Sequence, residues 1–70
     1  MSAIEQLKRL RLSLCLNQKE FAQQVGIPIS SISHYESGTR KPGFSSIRKL
    51  LAFAKKNGIK LTIQDIRDDL

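Results

Sequence analysis

Two stop signals inside one short stretch, Asn17 to Pro42 (NQKEFAQQVGIPISSISHYESGTRKP), do most to limit how this chain can fold. Asn17 and Glu20 stand at N-cap and capping-box positions, and Leu16 and Phe21 flank them at staple positions, so a helix is expected from residue 18 onward. Phe21, Ala22 and Val25 form its buried stripe. Gly26 ends it, because the turn needs a positive φ that glycine reaches without a steric penalty. Ile27 and Pro28 then launch another helix: proline drives the residue before it into an extended conformation and is itself tolerated in a first helical turn. This helix is expected to run to about Tyr35 or Glu36, with Ile32 in the core and Gly38 as its terminator. The stretch closes with a basic loop and Pro42.

The flanking sequence reads as support for that pair of helices. Ile4, Leu7, Leu10 and Leu14 recur at helical spacing, with Lys8, Arg9 and Ser13 elsewhere on the wheel, which predicts a first helix from about Ile4 to Leu14. After Pro42, Ile47, Leu50, Leu51 and Ala54 follow an i, i+3, i+4, i+7 pattern closed by Asn57-Gly58. A short fifth helix is expected after Thr62, where Thr62 with Asp65 resembles a capping box and Leu61 with Ile66 is spaced as a staple. No apolar/polar alternation and no Asn-Gly hairpin turn between apolar runs suggests a strand. The expected fold is therefore all-α, a compact five-helix bundle forming one domain over residues 1–70, with no linker or internal repeat.

Composition narrows the function. Seventy residues suffice for one small core, and Cys15, the only cysteine, cannot build a disulfide framework. A single unpaired thiol fits a reducing cytoplasm. The longest purely apolar run, Leu50 to Ala54, is far too short to span a bilayer, and Glu5, Lys8, Arg9 and Arg11 interrupt any signal-like N-terminus. With one histidine, one cysteine, no glycine-rich phosphate loop and no metal-ligand cluster, neither an enzyme nor a cofactor is expected. The net charge is +6, from twelve Lys/Arg against six Asp/Glu. Residues 1–60 carry +8 and residues 61–70, with Arg67 against Asp65, Asp68 and Asp69, carry −2. A basic body suits a polyanion, although the same charge would also keep a small protein soluble. Two helices fixed at an angle by a tight turn can place the second in the major groove of double-stranded DNA.

Taken together, LNQKEFAQQVGI (Leu16 to Ile27), SSISHYESG (Ser30 to Gly38) and the closing E-x-G-x-x-x-P of Glu36, Gly38 and Pro42 resemble the Cro/repressor-type helix-turn-helix family, also called XRE or lambda-repressor-like. The likeness covers about Ile4 to Ile66. It implies that residues 18–25 lie across the DNA backbone and residues 28–36 form the recognition helix. It further implies a homodimer reading a pseudo-palindromic operator with half-sites about one helical turn apart. Two positions depart from the pattern. Cys15 stands where many members carry glycine, so the first helix lacks an easy left-handed cap, and Pro28 replaces a frequent Ser/Thr cap on the recognition helix.

With Ile32 facing the core, Ile29, Ser30, Ser33 and His34 should look outward, with Ser31 at the flank. Matched to the family motif, Ile29, Ser30 and His34 fall where base contacts are usually made. Ile29 either packs against a thymine methyl or simply extends the core, and the first reading is favoured. Ser30 and Ser31 offer hydroxyls to base edges or phosphates, or occupy a first turn where serine is common; His34 can donate to guanine or accept from adenine. Phosphate contacts are expected from Asn17, Gln18 and the free N–H groups at that helix start, from Ser31, and from Thr39, Arg40 and Lys41 in the loop. Lys8 and Lys19 are equally readable as plain surface charges. The family motif often pairs an arginine late in the first helix with the glutamate ending the third, which here implies an ion pair between Arg11 and Glu36.

The tail holds more apolar residues than a chain end needs: Ile59, Leu61, Ile63, Ile66 and Leu70. Some must complete the core, and the rest suit a homodimer contact together with the loop from Arg40 to Phe44. Phe44, Ile59, Leu61 and Ile63 are the candidates. Within DNA binding, a phage-type Cro or repressor competes with a restriction–modification controller and an antitoxin. A protein-interaction module that binds a partner such as a toxin is the alternative from another class.

Overall fold

Local chemistry sets each helix boundary. The structure, a computed structural model describing residues 3–67, contains α1 (Ala3–Ser13), α2 (Gln18–Val25), α3 (Ile29–Ser37), α4 (Phe44–Lys56) and α5 (Ile63–Ile66). Asp68, Asp69 and Leu70 of the tail lie outside the described residues. Among the described residues there is no strand.

Both capping boxes form. The Asn17 side chain accepts from the Glu20 N–H while Glu20 accepts from the Asn17 N–H, and Thr62 and Asp65 repeat the exchange at α5. Each satisfies two N–H groups that would otherwise lack partners at a helix start. Leu16 is half-buried against the core that holds Phe21, as a staple requires.

Helix α1 stops one residue short of expectation. Leu14 and Cys15 donate backwards to Arg11 and Leu12 in a turn, and Cys15 takes φ +56°, the one left-handed residue other than glycine among those described. The chain thus keeps the left-handed cap and forces a cysteine into it, at a cost of ~1–2 kcal/mol. Helix α3 runs to Ser37, past the Tyr35 or Glu36 expected, because nothing stops it before Gly38 turns left-handed at φ +79°.

The helices enclose one cluster of buried side chains. Phe21, Ile32, Ile47, Leu50 and Ile66 are its largest fully buried members, so α2, α3, α4 and α5 each contribute. Phe21 and Phe53 meet edge to face, with centroids 5.4 Å apart and planes at 88°, an arrangement that fastens α2 to α4. Helix α1 packs on α3 and α5, closing the bundle. Ile4, counted on the α1 stripe, is more exposed than its neighbours and lies over Gly38, where an added Cβ would come within 2.6 Å of Ile4 Cδ1.

Candidate nucleic-acid interface

Helices α2 and α3 are joined through Gly26, whose φ of +82° lets its own N–H and that of Ile27 both donate to the Ala22 carbonyl at 2.9 and 3.1 Å. The Gly26 carbonyl in turn accepts from Lys49 Nζ at 2.9 Å, so α4 reaches over and holds the turn. No sequence signal marks Lys49 for this role, because the bond spans 23 positions and joins a side chain to a main-chain carbonyl. Pro28 is the N-cap of α3 and makes no side-chain cap bond; its carbonyl accepts from the Ser31 and Ile32 N–H groups.

Helix α3 has a sharply divided surface. Ile32, Tyr35 and Glu36 face inward, while Ile29, Ser30 and Ser33 are exposed and Ser31 and His34 are half-buried. Ile29 is 49% exposed against 1% for Ile32 one turn away. Three of the four candidates for base contact, Ile29, Ser30 and Ser33, therefore lie on the helix's accessible side, and the fourth, His34, is half-buried. Ser37, beyond the end expected for this helix, lies at the end of the same side. Its hydroxyl is 3.2 Å from the His34 carbonyl, to which it donates, and 2.8 Å from Thr39 Oγ1.

That chain of contacts continues into the basic loop. The Thr39 and Arg40 N–H groups both donate to the His34 carbonyl, which folds the loop back against the end of α3. Thr39, Arg40 and Lys41 are exposed there, whereas Pro42 is buried and its carbonyl accepts from Arg67 Nη1 at 3.1 Å. The tail arginine thus secures the loop carrying the two cations.

The start of α2 differs from expectation in detail. Asn17 Oδ1 is committed to the cap, and Gln18 is half-buried with Nε2 3.4 Å from Glu36 Oε1. The Glu20 carboxylate at this end also offsets part of its attraction for an anion. The backbone N–H groups of the first turn remain the donors suited to a phosphate there. A second such end lies beyond those expected: Gly43 is the N-cap of α4 and supplies no side-chain acceptor, so the first-turn N–H groups from Phe44 onward follow directly on the basic loop. The resumption of the helical pattern straight after Pro42-Gly43 was its sequence signal. Tyr35 Oη and Ser46 Oγ, 2.9 Å apart, tie this end of α4 to α3.

Arg11 and Glu36 hold α3 from behind. Arg11 Nε and Nη2 donate to Glu36 Oε2 and Oε1 at 2.8 and 2.9 Å, and Nη1 donates to the Leu16 carbonyl at 2.9 Å. Their side chains are only 14% and 2% exposed. The hydrogen bonds that Arg11 donates to Glu36 push its guanidinium above its ordinary value; burial opposes this and the opposite charge adds to it.

The four dimer candidates divide into two pairs. Phe44 and Ile63 are 69% and 41% exposed, while Ile59 and Leu61 are half-buried and packed on the core. Among the described residues no His, Cys, Asp and Glu cluster could hold a metal ion, and no helix is long and apolar enough to cross a membrane.

No curated protein and no solved structure gives a significant match to this chain. A family model described as helix-turn-helix matches residues 7–61, a span that holds all of α2, α3 and α4. The chain belongs to that helix-turn-helix family, the XRE or lambda-repressor-like group of DNA-binding regulators.

Proposed function

We propose that the protein is a homodimeric transcriptional repressor of the Cro type that reads a pseudo-palindromic operator in double-stranded DNA. The observation that carries this reading is the half-exposed Ile29 at the start of α3, beside the exposed hydroxyls of Ser30 and Ser33. An aliphatic side chain there would lose water-exposed surface against a thymine methyl, while hydroxyls and the His34 imidazole bond base edges. Arg40, Lys41, Thr39 and the first turns of α2 and α4 supply phosphate contacts around it, with Ser31 at the flank. Two copies joined through the exposed Phe44 and Ile63, with the half-buried Ile59 and Leu61 left outside the contact, would set two α3 helices one duplex turn apart.

Selection from a random duplex pool tests this reading. The expected result is an enriched site with two inverted half-sites about one helical turn apart. Recovery of no preferred duplex at moderate ionic strength would overturn it. Sedimentation tests the dimer: the wild type should self-associate at high micromolar concentration, and Phe44→Ser should remain monomeric.

A further inference from the structure

A different face of the molecule is also furnished for binding. The segment Ile59–Leu61 runs between α1 and α4 and borders a shallow trough on each side. One trough is lined by Leu51, Lys55, Gly58 and the segment itself. The other is lined by Gln6, Arg9, Leu10, Ser13 and the same segment. Among the described residues five hydrophobic side chains pack on the core without being fully buried, and three of them, Leu51, Ile59 and Leu61, are gathered here. No residue of α2 or α3 lines either trough, so the surface belongs to neither helix of the candidate DNA interface.

We infer that this doubled trough is a docking surface for an acidic amphipathic helix of a partner protein. Among the described residues the charges lining it are of one sign: Arg9, Lys55 and Lys60 line the two troughs, and no carboxylate does. Phosphate contacts give no reason for that cluster, since it lies apart from α3 and the basic loop. An apolar floor with cations along its edges suits a helix with leucine-type side chains on one face and glutamates at the margins. Bare polyanions would gain nothing from the floor. A second copy of this chain would bring Arg9, Lys55 and Lys60 towards the same three cations if the faces met symmetrically. The trough thus gives a regulator a protein-facing side distinct from its proposed DNA-facing side, and its occupancy does not depend on the repressor reading.

The test uses the full chain labelled with ¹⁵N and two synthetic helical peptides of about five turns, or ~18 residues. They share one leucine face and differ only in carrying glutamate or lysine at its margins. The glutamate peptide should shift the amide signals of Arg9, Ser13, Leu51, Lys55 and Gly58–Leu61 and leave Ser30–His34 unmoved. The lysine peptide should bind at least about tenfold more weakly. In the doubly substituted Lys55→Glu/Lys60→Glu chain the preference should invert, while its melting temperature stays near that of the wild type. Equal binding of both peptides, signals moving elsewhere, or the same signals moving with protein concentration alone would overturn the inference. So would a random-sequence duplex that shifts these signals as strongly as the glutamate peptide does.

Discussion

Arg11 in the last turn of α1 grips Glu36 near the end of α3 through two parallel hydrogen bonds, of 2.8 and 2.9 Å, across 25 positions of sequence. The same guanidinium holds the Leu16 carbonyl, and Gln18 approaches the same carboxylate from α2. One ion pair therefore gathers the end of α1, the loop before α2 and the end of α3. Removing either partner leaves a largely buried charge alone, so Glu36→Ala should cost ~3–5 kcal/mol in a urea melt. Arg11→Met with Glu36→Leu should recover much of that loss, because an apolar pair avoids desolvating two ions. The raised Arg11 value keeps the guanidinium charged through neutral pH, and its proton is removed only by strong alkali.

Cys15 holds a left-handed conformation that L side chains adopt reluctantly, at φ +56°. Cys15→Gly should release that strain, less the extra chain entropy glycine carries, for a net gain of ~1 kcal/mol. For a domain of this size that is a rise of about 4–8 °C in Tm by calorimetry. Cys15→Val, branched at Cβ, should lower Tm instead.

Gly26 and Gly38 share nearly the same φ, +82° and +79°, yet they should not tolerate alanine equally. A Cβ at Gly26 meets nothing within 4 Å, whereas at Gly38 it comes within 2.6 Å of Ile4 Cδ1. Gly26→Ala should cost only the backbone term, ~1–2 kcal/mol. Gly38→Ala should cost more in the same denaturant assay, and adding Ile4→Val, which deletes the clashing methyl, should remove the excess.

The candidate DNA-facing residues should separate by what they read. His34→Ala should weaken operator binding by ~1–3 kcal/mol and relax preference at one base position. Ile29→Ala should act in the same way at a thymine. Arg40→Ala should instead weaken all duplexes alike and flatten the salt dependence by ~1 unit. Titrations across ionic strength, with operator and random duplex, distinguish the two patterns.

Much of this molecule is written in short-range sequence. Asn17 with Glu20, Thr62 with Asp65, and the glycines at 26 and 38 each act within a few residues, on φ, on N–H groups or on one helical turn. The five helices, the tight turn and the outward side of α3 could therefore be read before folding, and the family likeness of Leu16 to Pro42 added the expected Arg11–Glu36 pair. What required the tertiary structure acts between elements: Lys49 on the Gly26 carbonyl, Arg67 on the Pro42 carbonyl, Ile4 over Gly38, and the commitment of Gln18 to Glu36. The apolar tail shows the division most plainly. Ile59, Leu61, Ile63 and Ile66 look alike as letters, yet Ile66 is fully buried, Ile59 and Leu61 lie half-covered along two troughs, and Ile63 faces solvent. Hydrophobicity specifies that such side chains seek cover, but only the packing of α1, α4 and α5 decides which of them obtain it.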